Sequence, residues 1–250
     1  RPFACGTSYD GVGERGSTIT PTEFRFFVSR LRLVNAAGGE VPVALEQDGL
    51  WQVEDVALLD FEDGTGPCVN GNAELRHHVA GTVPAGEYVG VRFELGVPFE
   101  LNHGDLAAQP SPLSLTRMFW AWNSGYKFLR VDMRVADGGP WMIHLGSTGC
   151  TPNTTVQTVP TSCAFPNRAD VRLDAFDPDR DTIVFDLAAL LAGADVDTNQ
   201  EGTAAGCMSS QEDADCAPLF ANLGLPHAGS PAGSQSVFHV RQAAVDAGGR

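Results

Sequence analysis

The chain is short of positive charge. Lysine and arginine together number 16 against 31 aspartates and glutamates, for a formal net charge of −15. Such a surface repels phosphate backbones and anionic headgroups, which argues against nucleic acid and charged lipid as partners. It suits cations or a basic partner. Long hydrophobic runs are missing too: no apolar stretch reaches the roughly 18 residues of a membrane span. No Cys-x-x-Cys pair occurs, which speaks against a zinc ribbon or a thioredoxin-type motif. There is no G-x-S-x-G, no H-E-x-x-H and no phosphate-binding glycine loop. The many Ser, His and Asp residues fall in no motif that ties them into a triad.

What is present reads as strands and turns. Phe24 to Val34 alternates apolar and polar residues, with a bulge expected near Val28–Arg30. Tyr88 to Leu95 carries the same period, Tyr126 to Asp132 reads as an extended run and Pro140 to Leu145 as a short strand. Further extended runs lie at Val41 to Leu45, Trp51 to Phe61, Leu75 to Val83, Thr182 to Phe185 and Ser236 to Val240. Asp186 to Gly193 is the best helix signal, with Asp as N-cap and Gly as stop. The pattern predicts an all-β protein: a β-sandwich with long disulfide-tied loops and one or two short helices. We expect a single domain over residues 1–250, with a Gly/Ala-rich tail from about residue 226.

Six cysteines sit in turn-rich segments, as in disulfide-bonded loops of exported proteins. Short local loops favour Cys150–Cys163 and Cys207–Cys216, and Cys5–Cys68 follows by elimination, among the many connectivities that six cysteines allow. The acidic runs Asp174–Asp181 and Asp195–Asn199 fail the Gly and Glu positions of a calcium loop and read as solvated. Met118-Phe-Trp-Ala-Trp122 holds two of the four tryptophans; on a strand Trp120 and Trp122 share a face. Aromatic stripes are usually core, and this one is compatible with a plain packing role. Imidazole suits copper, which makes the six histidines candidate ligands; His77 and His78 are neighbours on a strand and make a poor chelating pair.

Several segments, in order along the chain, resemble the MbnP-like family, the metallo-mystery-pair proteins with a four-cysteine motif. They include Phe3-Ala-Cys-Gly-Thr-Ser-Tyr-Asp-Gly11, Gly96-Val-Pro-Phe-Glu-Leu-Asn-His103 and Met118-Phe-Trp-Ala-Trp122. Gly125-Tyr-Lys-Phe-Leu-Arg130 and His144-Leu-Gly-Ser-Thr-Gly-Cys150 continue the series, and Gly206-Cys-Met208 with Asp215-Cys-Ala-Pro218 closes it. The resemblance implies a periplasmic or otherwise exported protein that binds copper at one site. It implies a MauG-like (MbnH-like) di-haem partner that oxidises a tryptophan of this chain to kynurenine, the chain itself being no catalyst. His103 and His144 fall inside matching segments and are the expected imidazole ligands, ahead of His77, His78, His227 and His239. Trp122 and Trp120 are the expected sites of oxidation, with Trp122 favoured because Asn123-Ser-Gly125 suggests an exposed end. A metal-free extracellular adhesion or carbohydrate-binding module is the alternative.

Overall fold

A computed structural model of the protein describes residues 2–71, 73–121, 125–152 and 159–243. The fold is all-β, built on a ten-stranded sheet with four two-stranded pieces beside it. The centre of the sheet is the 19-residue strand Ser17–Asn35, longer at both ends than its alternating core. It pairs antiparallel with Leu129–Val135, Tyr88–Leu95 and Val56–Asp60. The register slips between Ser29 and Arg32, and Arg30 takes φ 52°, so the expected bulge is there. Leu129–Val135 and Gly139–Leu145 form a hairpin in which Leu129 faces Leu145 and Arg130 faces His144.

The long strand is buried without a break from Phe24 to Ser29, along with Glu23 before them. Alternation therefore sends two different sets of side chains into two buried faces. Phe24 and Phe26 point to one face. There Phe24 stacks on Phe61 at 4.8 Å and Phe26 on Phe185 at 5.1 Å, with Phe238 5.0 Å from Phe185. Phe185 and Phe238 belong to the paired strands Thr182–Phe185 and Phe238–Arg241, which lie over this face as a second layer. Glu23 and Arg25 point to the other face, and both are almost wholly buried.

Several sequence expectations shift in detail. Trp51–Phe61 is not one strand but a tight pair, Gln52–Val53 and Val56–Asp60, turning at Glu54 with φ 51°. Leu75–Val83 keeps only Gly81–Thr82 as strand and a single bridge from Arg76 to Asp60. The helix after Asp186 is one turn, Leu187–Leu190, capped by the Asp186 carboxylate accepting from Ala189 N at 3.0 Å. Phe99–Asn102 and Cys216–Asn222 are further short helices. All six cysteines are paired: Cys5–Cys68, Cys150–Cys163 and Cys207–Cys216. No helix among the described residues is long and apolar enough to cross a membrane.

Candidate functional site

The register of the sheet dictates an ionic row. Asp60, Arg25, Arg130 and His144 are successive cross-strand partners on four neighbouring strands, so their side chains share one face. Glu23 and Asp132 face each other one step along. Arg25 is the hub of the buried end: its Nε donates to Asp60 Oδ2 at 3.0 Å, it pairs with Glu62, and its Nη1 lies 3.4 Å from Glu23. Three carboxylates against one guanidinium leave excess negative charge in a dry place. Burial, then the hydrogen bond and charge of Glu23, raise the Glu62 carboxyl to about 9, against the pull of Arg25.

Glu23 also reaches Arg130, 3.4 Å away, which carries the row onward. Arg130 donates from Nε and Nη2 to one oxygen of Asp132, at 3.1 and 2.6 Å. The other Asp132 oxygen lies 2.7 Å from His144 Nε2. Burial works to raise the Asp132 carboxyl, but the His144 hydrogen bond and the Arg130 guanidinium hold it below the ordinary range. Burial lowers the His144 imidazole, against the pull of Asp132. The pair is thus a carboxylate and a neutral imidazole. Lys127, the chain's sole lysine, sits at the edge of this group and is lowered by burial and then by Arg130.

Trp120 closes the row. Its ring lies 6.3 Å from that of His144, centroid to centroid, and it is half-buried. Gly146 makes the approach possible: a Cβ there would stand 2.7 Å from the indole and from the Tyr126 carbonyl. The segment is further fixed by Ser209, whose Oγ donates to His144 O at 2.9 Å and accepts from Gly146 N at 3.0 Å.

His103 stands next to Asn102, which contacts Gly125–Tyr126. It follows the helix Phe99–Asn102 and is 3 % exposed. Asn102 uses its Oδ1 to accept from Tyr126 N at 2.9 Å and directs its Nδ2 to His103 Nε2 at 3.1 Å. Gly125 is obligatory here: it has φ 68°, and a Cβ would collide with Asn102. His103 Nε2 also lies 3.4 Å from Cys163 Sγ. His103 and the sulfurs of Cys150 and Cys163 come within 4.8 Å of one another, but both sulfurs are committed to a disulfide and offer no thiolate.

The sequence model of the MbnP family matches residues 1–209. The chain belongs to the MbnP family. It is similar in structure to MbnP from Methylosinus trichosporium, with 32% sequence identity and a TM-score of 0.81. That match covers 96% of this chain and 93% of the other. No curated protein matches the chain. Membership in the MbnP family makes it a mystery-pair-system protein.

Within this MbnP fold the expected residues divide. His144 and Trp120 come together, while His103 lies beside the Cys150–Cys163 disulfide, next to Asn102, which accepts from Tyr126 N. Trp122 lies outside the described residues. Trp51 and Trp141 are core residues, 6 % and 2 % exposed. His77 stacks on Phe61 on the aromatic face, His239 is exposed on Phe238–Arg241, and buried His227 bonds Ser210 O at 2.9 Å through Nε2. The imidazole beside Trp120 is a nitrogen donor of the kind copper takes. Asp132, Arg130, Arg25 and Glu23 were not among the expected site residues. Alternation along Leu129–Val135 sets Arg130 and Asp132 on one face, but the strand pairing is what gives that face to His144, Arg25 and Glu23.

Proposed function

We propose that this MbnP family member is a periplasmic copper-binding protein, not itself a catalyst, and that a MauG-like di-haem partner oxidises Trp120 to kynurenine. The observation that carries the reading is the placement of a half-buried tryptophan beside a neutral histidine whose other neighbour is a carboxylate. A core tryptophan would be sealed away from an external oxidant, as Trp51 and Trp141 are. With two equivalents of peroxide as the oxidant at the haem partner, the C2–C3 bond of the indole is cleaved, C3 becomes a carbonyl, and hydrolysis releases C2 as formate and frees an aryl amine. His144 and His103 are the imidazoles that would hold copper with that amine. Bound copper would supply a redox-active centre that prefers such nitrogen donors. The three disulfides agree with an exported protein, since such bonds persist in oxidising compartments.

Copper titration tests the metal half. The full chain, reacted with its partner, should bind one copper. His144→Ala with His103→Ala should abolish tight binding. One copper bound with unchanged affinity by that double variant would move the ligands elsewhere, with His227 and His239 next.

A further inference from the structure

We infer that Asp132 is a positioning residue for His144: it fixes the imidazole as the Nε2–H tautomer and leaves Nδ1 as the nitrogen that meets a metal ion. The second half of this inference rests on the copper reading above; the first half does not.

An aspartate whose Oδ2 accepts two hydrogen bonds from Arg130 is a carboxylate, and a carboxylate only accepts. His144 Nε2 stands 2.7 Å from the remaining oxygen, so a proton must lie between them and must come from the ring. A neutral imidazole with Nε2 protonated has its lone pair at Nδ1. The opposite tautomer would set two lone pairs against each other at that distance.

The carboxylate is itself held from behind. Arg130 presents two N–H groups in a fixed fork, and Glu23 lies against its Nη1 at 3.4 Å. Glu23 in turn pairs with Arg25, which also donates to Asp60 and to the Asn70 carbonyl at 3.0 Å. Cross-strand pairing of Asp60, Arg25, Arg130 and His144 sets the spacing of these groups by backbone register rather than by side-chain choice. A carboxylate behind a ligating histidine raises the basicity of the ring and locks its angle, and removing it typically costs 10–100-fold in metal affinity.

Long-range proton–nitrogen NMR spectra of the metal-free full chain read the tautomer directly. His144 should show a pyrrole-type Nε2 and a pyridine-type Nδ1. In Asp132→Asn the amide oxygen should stay with Arg130 and the amide N–H should turn to the ring, inverting the two nitrogen signals. Arg130→Lys, which lacks the fork, should give a mixture of tautomers and guards against a misfolded Asn variant. Copper(I), measured against a competing chromophoric chelator, should bind Asp132→Asn about 10–100-fold more weakly than the wild type. A wild-type His144 protonated at Nδ1, or an Asn variant with unchanged tautomer, overturns the positioning role whatever the copper result. An inverted tautomer with unchanged copper(I) affinity overturns the assignment of Nδ1 to the metal.

Discussion

The two faces of the strand Ser17–Asn35 are equally dry and chemically opposite. On one, Phe24 and Phe26 join Phe61, Phe185 and Phe238 in edge and stacked contacts that need no partner outside the ring set. On the other, Arg25 and Glu23 are as deeply buried, at 2 % and 1 % exposure, but each has to be answered by charge from a neighbouring strand. Apolar burial is non-directional and tolerates any well-packed solution. Buried charge is directional, and it constrains geometry all the way to His144. The aromatic face holds the layers together; the ionic face delivers an oriented imidazole to the end of the strand Gly139–Leu145, where Trp120 is half-buried.

The strongest way to break this contrast is to truncate one residue on each face. Phe26→Ala should cost about 3–5 kcal/mol as a packing loss. Arg25→Ala should cost about 3–5 kcal/mol because buried Asp60 loses its cation and Glu23 keeps only Arg130. The costs should part company with pH: that of Phe26→Ala stays level, while that of Arg25→Ala shrinks in acid as the carboxylates take protons. Denaturant unfolding at several pH values checks both; a level cost for Arg25→Ala would mean the cluster is not ionic.

Gly146→Ala acts at the end of the row. The added methyl has to displace the Trp120 indole or the Tyr126 carbonyl, and such overpacking costs about 1–3 kcal/mol. Tryptophan fluorescence should shift as the indole moves outward, and copper binding should weaken even where the fold is retained.

A last effect is a slope. In the folded protein Glu62 keeps its proton up to about 9, whereas the unfolded chain loses it near the ordinary value of 4.5. Between those values the folded state binds more protons, so this group's contribution is complete at low pH and is lost as pH rises toward 9. Glu62→Gln, which cannot ionise, should flatten that part of the stability–pH curve. An unchanged slope would show that Glu62 is already ionised in the fold.

Much of the scaffold was legible because it depends on local pattern. Alternation located Tyr88–Leu95, the extended run expected at Tyr126 to Asp132 overlaps the strand Leu129–Val135, and short loop closure led to the pairings Cys150–Cys163 and Cys207–Cys216. Leu75–Val83 looked extended by composition but lacks a partner for most of its length, and ladders need partners. The ionic row was invisible for a related reason. Arg25 opposite Phe24 and Phe26 looks like a solvent face, since arginine is seldom fully buried. Only the pairing of Ser17–Asn35 with Val56–Asp60 and Leu129–Val135 shows that Asp60 and Arg130 join Glu23 around it. His144 was found through family resemblance, while the carboxylate that orients it required the register.

The most direct test of the account is a peptide mass map of all four tryptophans after the full chain reacts with its di-haem partner and peroxide. The account predicts one modified site, at Trp120, with the mass change of an indole that has lost one carbon and gained one oxygen. It predicts that Trp120→Phe abolishes that change and that Trp122→Phe, Trp51→Phe and Trp141→Phe leave it in place. Oxidation that persists in Trp120→Phe and disappears in any one of the other three variants would contradict it.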